Sequence, residues 1–370
     1  MFVKMINRSV VLIFVLLLIV LWQSEGCSLV RQKTTNPILS QLDKVRGRGI
    51  LFGHQDDLAY GVGWKYLKGE SDVKRVSGDY PALFGWELGG LELGHDVNLD
   101  SVPFHKIKHY VQWVNAHGGI NTFSWHPYSP VDSVNAWHGD SVVVPSILPG
   151  GAFSSQFQHQ LDLLAAFLKQ LKDSDGQPIP FIFRPWHEMD GNWFWWGAKA
   201  CTPDEFKTLF RFTVTYLRHK GLSNMLIAYS PDRNFKTVAK YETWYPGDDV
   251  VDILGMDNYY DLRKPDGVKT AVEKLRLVID VARQKGKPAA LTETGSECIP
   301  DSTWYPATLG TVLNDSLIRN YLSYVMVWRN ASIKQFFFPY PGNPAASGAR
   351  KLLKNPPILL LNDFNQLKNN

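Results

Sequence analysis

Glu188 and Glu293 are the residues of this 370-residue chain whose type and spacing best equip them for chemistry. Each stands at the end of, or just beyond, a short apolar run (180–185 and 289–293), and they lie 105 residues apart. A strand–helix unit takes about 35 residues, so three units separate them, which places them on the fourth and seventh strands, opening onto one cleft. Two carboxyl groups across a groove can cut a glycosidic bond, one donating a proton and the other attacking or activating water. The competing account is a structural ion pair at a barrel mouth. The neighbourhood argues against it, because Trp193, Phe194, Trp195 and Trp196 follow Glu188, and Trp137, Trp304 and Trp328 fall in or beside other mouth loops. Flat rings beside a wet groove stack on sugars. The run 192–196 has neither helical nor strand alternation, so it reads as cleft lining, whereas Trp113 on a helix face reads as core.

Other chemistries find less support. His187-Glu188 has the look of a zinc-protease pair, but the second histidine would fall at position 191, which is Gly191. His54, His126 and His187 are scattered, so no metal and no other cofactor is expected. A serine hydrolase needs Gly-x-Ser-x-Gly at a strand-to-helix turn, and the chain has none. A composition of 45% hydrophobic and 20% charged residues is globular. The net charge of +4 is scattered along the chain, which argues against a nucleic-acid partner. Three cysteines cannot build a disulfide scaffold; Cys201 and Cys298 either pair or stay free thiols.

The elements that must hold these residues can be counted. Apolar runs rich in β-branched or aromatic residues occur at 50–54, 82–87, 120–126, 180–185, 225–230, 251–257, 289–293 and 324–328. Helical periodicity fills most of the gaps, at 105–116, 157–171 and 271–283. Thr202-Pro203-Asp204-Glu205 opens a further helix with a cap, a first-turn proline and acids at the positive end of the dipole. Eight strands alternating with helices give a parallel sheet closed into a single (β/α)8 TIM barrel over 37–370. A doubly wound sheet would need a glycine-rich phosphate turn after the first strand, and Gly53-His54-Gln55-Asp56-Asp57 is not one. The run 336–340 also reads as extended; it is placed after the barrel, followed by a closing helix at 346–354.

Ahead of the barrel, Lys4 and Arg8 precede 13 unbroken apolar residues, 10–22. That run is too short to anchor in a bilayer and fits a secretory signal. Gly26-Cys27 directly after it resembles a bacterial lipoprotein signal, which makes 1–26 the signal peptide, Cys27 the lipidated first mature residue and 27–36 a short polar tether. The expectation is export across the bacterial inner membrane as a periplasmic or outer-membrane lipoprotein. Its membrane contact would run through the lipid on Cys27, and the protein would otherwise be a monomer.

The segment Arg184-Pro185-Trp186-His187-Glu188-Met189-Asp190-Gly191-Asn192-Trp193-Phe194-Trp195-Trp196-Gly197 resembles the acid/base segment of glycoside hydrolase family 26, the β-mannanases of a wider (β/α)8 clan. Thr292-Glu293-Thr294-Gly295 is similar to that family's nucleophile segment, and Gly53-His54-Gln55, Phe123-Ser124-Trp125-His126 and Trp328-Arg329-Asn330 follow the family order. The resemblance implies Glu188 as acid/base, Glu293 as nucleophile and retention of anomeric configuration. It implies that His126, His187, Trp193 and Trp328 surround the sugar at the point of cleavage, that Tyr259 hydrogen-bonds the nucleophile, and that Arg329 contacts the next sugar. The implied substrate is a β-1,4-linked mannan, glucomannan or galactomannan. A β-1,3-xylanase, a mixed-linkage β-glucanase and a catalytically silent glycan-binding lipoprotein are the rival readings.

Overall fold

The computed structural model describes residues 36–355 and 358–369, so the expected signal peptide, the lipidation of Cys27 and the tether up to residue 35 lie outside the described residues. From Pro37 the chain is one compact unit. Its barrel strands are β1 (Ile50–Gln55), β2 (Leu83–Glu87), β3 (Ile120–Ser124), β4 (Phe181–Arg184), β5 (Met225–Tyr229), β6 (Ile253–Asp257), β7 (Ala289–Thr294) and β8 (Leu322–Val327). All eight coincide with the runs expected from the sequence. Each pairs in parallel with its neighbour, and β8 returns to β1 through Leu51 opposite Tyr324 and His54 opposite Val327, so the sheet closes. This is the (β/α)8 barrel.

Every barrel strand is buried along its whole length. That explains why the runs are nearly continuous in apolar character: helices cover the outer face and side chains fill the inner one. The inner filling includes Leu51, Ile182, Leu226, Ile253 and Ala290, packed with Ile38, Leu42 and Val45. Those last three fall on one face of the helix Pro37–Val45, four and three residues apart. Together with Phe364 of the C-terminal helix Leu361–Asn369, they belong to the cluster that fills the barrel's N-terminal end. With that end filled by apolar side chains, polar residues gather at the C-terminal ends of the strands.

The helix Pro203–His219 begins as its sequence announces, with the Thr202 hydroxyl accepting from Glu205 N and the Glu205 carboxylate accepting from Thr202 N. The fifth crossover is different. It holds only the four-residue helix Val238–Tyr241 and a short turn, Glu242–Trp244, which is why no amphipathic period is legible there. The run 336–340 forms no strand. Instead Asn330 Oδ1 accepts from the backbone N–H of Phe337 (3.0 Å) and Phe338 (2.9 Å), bending the segment back over the barrel mouth. Among the described residues no helix is long and apolar enough to cross a membrane.

Candidate active site

Strand β4 ends at Arg184, and the chain then turns sharply through residues 185–191. Trp186 (φ 54°) and Glu188 (φ 55°) both lie in the left-handed region, which side chains other than glycine adopt at a cost of about 1–3 kcal/mol each. Packing and hydrogen bonds hold them there. Trp186 Nε1 donates to Thr213 Oγ1 (3.1 Å), and Glu188 N donates to Ser230 O (2.8 Å) at the end of β5. The turn lets Trp193 fold back so that its indole N–H donates to Glu188 Oε2 (2.7 Å). Gly191 is needed for this, because a Cβ there would sit 2.4 Å from the Trp193 ring.

Glu293 lies within β7 and receives two donors: Tyr259 OH on Oε2 (2.7 Å) and Arg184 Nη2 on Oε1. The other arm of Arg184 donates to Asp257 Oδ2 (2.8 Å), and Asp257 Oδ1 accepts from Ser230 Oγ (2.7 Å) and Thr292 Oγ1 (2.6 Å). One carboxylate oxygen from each of Glu188, Asp257 and Glu293 lies within 4.8 Å of the others. Such a trio could hold a divalent cation by its chemistry. The buried Arg184 guanidinium already donates to two of the three, so part of their charge is met by this chain's own residue.

A second chain of contacts crosses the mouth. Glu87 accepts from Ser124 Oγ (2.6 Å) and from the backbone N–H of His126 (2.8 Å), and it faces His126 Nδ1 at 2.8 Å. His126 Nε2 in turn meets His187 Nε2 at 3.0 Å. Burial alone would raise Glu87, but His126 and these hydrogen bonds bring it down to about 2. Burial, then the charges of Arg184 and His126, push His187 well below the ordinary histidine range, so it is neutral. Burial raises Glu188 well above the carboxylate range, and the charges of Asp257, Glu293 and Asp232 add to it; only the Trp193 hydrogen bond opposes. The sequence leads one to expect a moderate shift, moderated by Arg184 and a protonated His187. Neither is a main cause here: Arg184 is bonded to Asp257 and Glu293, and His187 carries no charge. Tyr259 keeps its proton through burial first and the Glu293 charge second.

An open cavity of about 940 Å³ gathers Glu188, Glu293, His126, His187, Trp193, Tyr259 and Trp328. Arg329 is not among its lining residues; it is tied to Asp100 (3.1 Å) and to Tyr60 OH (3.2 Å). Trp137, 52% exposed, lies parallel to the His126 ring at 5.0 Å and also lines the cavity. The aromatic run after Glu188 divides. Trp193 and Phe194 face the cavity, whereas Trp195 and Trp196 are fully buried and pack against Trp186, so half of the run is core after all. Trp304 is also buried, its indole donating to Leu262 O (2.6 Å). Ser296 and Arg233 also line the cavity, from loops with no periodic signal, and Phe337 does so from the run 336–340 that reads as extended. Cys201 and Cys298 are both free thiols.

A sequence model of glycosyl hydrolase family 26 matches residues 30–304, a span that holds both carboxylates. The chain belongs to glycoside hydrolase family 26. Relatives of the family 26 domain include a mannan endo-1,4-β-mannosidase of Bifidobacterium adolescentis, 37% identical over 269 residues, covering 68% of this chain and 26% of that protein. The chain thus spans about a quarter of that relative's length. A mannan endo-1,4-β-mannosidase of Bacillus subtilis is 28% identical over 286 residues, 71% of this chain and 72% of its own. Among solved structures, a family 26 β-mannanase of Bacteroides ovatus superposes with a TM-score of 0.84 at 42% identity, covering 88% of this chain and 94% of that one.

Proposed function

We propose that this family 26 protein is a retaining β-1,4-mannanase in which Glu293 is the nucleophile and Glu188 the acid/base. The observation that carries the mechanism is the approach of the two carboxylates to within 4.8 Å. Retaining glycosidases hold the pair about 5–5.5 Å apart, whereas inverting ones need about 6.5–9.5 Å to admit a water. The names of the Bifidobacterium, Bacillus and Bacteroides relatives support mannan as the substrate.

Glu293 attacks the anomeric carbon while Glu188, still protonated, delivers its proton to the departing glycosidic oxygen. Arg184 and Tyr259 donate to the two oxygens of Glu293 and fix its direction of attack. Once the glycosyl ester forms, Glu293 loses its charge, the repulsion that raised Glu188 falls, and Glu188 gives up its proton more readily. It then takes a proton from the water that hydrolyses the ester. His126, His187, Trp193 and Trp328 surround the reacting sugar, while Arg329, tied to Asp100 and Tyr60 away from the cavity, takes no part in holding it. The chain is exported and tethered through lipid on Cys27; incorporation of labelled palmitate that persists in a Cys27→Ser variant would refute the tether.

Product analysis on mannan, β-1,3-xylan and mixed-linkage β-glucan side by side tests the substrate, and proton NMR of the first anomer released tests the stereochemistry. Cleavage of mannan with retention is the expected result. Cleavage of xylan or β-glucan alone would transfer the reading to those linkages, and binding without cleavage would make the protein a silent glycan receptor.

A further inference from the structure

One wall of the cleft carries charge that a neutral polysaccharide does not call for. Arg233, in the loop after β5, and Tyr260, Arg263 and Lys264, in the loop after β6, line the same cavity as Glu188 and Glu293. Tyr260 is 56% exposed, with the Arg233 guanidinium over its ring at 4.0 Å and that of Arg263 at 5.6 Å. Arg233 is paired with Asp232 (2.7 Å). Arg263 and Lys264 are exposed, and among the described residues neither forms an ion pair. A shallower hollow of about 490 Å³ shares Arg233 with the cleft, and its charged lining is Arg233, Lys236, Lys240 and Lys274, with no carboxylate. The acids nearby are accounted for in part: Asp261 is bound to Lys274 (2.6 Å), and Glu297 lines the cavity from the loop after β7.

We propose that this wall is a subsite for a carboxylate-bearing side group on the substrate, of the uronic-acid type. The inference rests on the glycan-cleaving reading of the cleft. Because the cations line the catalytic cavity itself, their ligand is part of the bound glycan and not a separate molecule. Elsewhere the cavity is lined by rings that suit uncharged sugars (Trp137, Trp193, Trp328) and by the carboxyls of Glu188, Glu293, Asp232 and Glu297, so the arginine and lysine charge is confined to one wall. A guanidinium offers a fork of donors matched to a carboxylate, and a second guanidinium and an ammonium beside it raise the local positive potential.

The test compares galactomannan oligosaccharides with the same oligosaccharides after oxidation of the galactose C6 to a carboxylate. Wild-type protein should cleave the oxidised form with a kcat/KM about fivefold above the parent at low salt, as two exposed charge pairs allow. The preference should shrink as salt is raised and collapse to near unity in an Arg263→Gln, Lys264→Gln double variant. Calorimetric binding of both oligosaccharides to a Glu293→Gln variant reads the same ratio without turnover. If neither form is cut, the mannanase reading fails while the binding ratio still judges the subsite. Equal binding of both forms, or a preference that survives the double substitution, would overturn the subsite.

Discussion

Replacing Arg184 by Met removes the cation from the most densely charged point of the molecule. Arg184 is buried, as are Asp257 and Glu293, to which it donates, and Glu188 has an oxygen within 4.8 Å of both. Burial on its own would loosen the guanidinium's proton, but the charges of Asp257 and Glu293 outweigh it and hold that proton tighter than usual. Methionine fills similar volume, so packing is largely kept and the lost charge dominates. Breaking a buried pair by deleting one partner costs about 3–5 kcal/mol. For a unit of this size that is a drop in Tm of about 4–7 °C near neutral pH. The pH dependence distinguishes lost charge from lost packing. Burial already raises Asp257 well above the carboxylate range while the Arg184 charge lowers it; without Arg184 it binds its proton more tightly still than in the unfolded chain, where it titrates near about 4. The added penalty is therefore complete above the variant's folded value for Asp257 and fades as pH falls below the wild-type one toward the unfolded value. Calorimetric scans of wild type and variant should show a Tm gap that is wide at about pH 7.5 and narrow at about pH 4.5. An Arg184→Lys variant, which keeps the charge but loses the fork, should fall between the two at neutral pH. A gap independent of pH, or one that widens in acid, would refute the reasoning, because it would mean that the carboxylates do not depend on Arg184 for their charge balance.

Glu293→Ala should abolish turnover of every substrate, whereas Glu188→Ala should retain activity on aryl glycosides with a good leaving group, which depart without a proton; equal loss in both on an activated substrate would overturn the two roles. The pH–rate profile should be a bell whose alkaline limb belongs to Glu188. Trp193→Phe removes the donor that favours the ionised form of Glu188, so that limb should move to higher pH; a shift toward acid would contradict the geometry. Tyr259→Phe takes one of two donors from Glu293 and should lower kcat about ten- to a hundredfold with little change in KM, measured on mannan oligosaccharides.

The barrel was legible because each strand is buried on both faces and leaves a short apolar run, and eight such runs alternate with helical periods; the lone run 336–340, which has no place in that alternation, forms no strand. Where tertiary packing supplied the order instead, the signal vanished. The crossover Val238–Tyr241 is too short for a period. The strand Ile358–Leu359, which pairs alongside β1, is two residues long. The carboxylate pair was legible from spacing, but the partners that balance it were not: Arg184 and Asp257 are 73 residues apart and meet only because β4 and β6 both point into the mouth. The split of the run 192–196 into cleft and core was hidden for a related reason. Its direction is set by the left-handed turn at Trp186 and Glu188, a backbone conformation that nothing in those residue types announces.

In the proposed mechanism two chemically identical glutamates take different roles, so the difference between them has to come from their surroundings. Glu293 is met by a guanidinium and a phenol, both donors that favour the ionised carboxylate. Glu188 is met by one indole N–H, and burial, with three acidic neighbours beside it, leaves it holding its proton. Exchanging the roles would require moving the guanidinium, not the carboxylates. Arg184 closes β4, four residues before Glu188, yet it reaches across the mouth to Glu293 on β7. The turn at 185–191 thus accomplishes two separations at once. It sends the cation of its own strand to the opposite carboxylate, and it carries Glu188 away from that cation to the indole of Trp193. In the proposed mechanism the asymmetry between proton donor and nucleophile is then a property of one turn and the residue that precedes it.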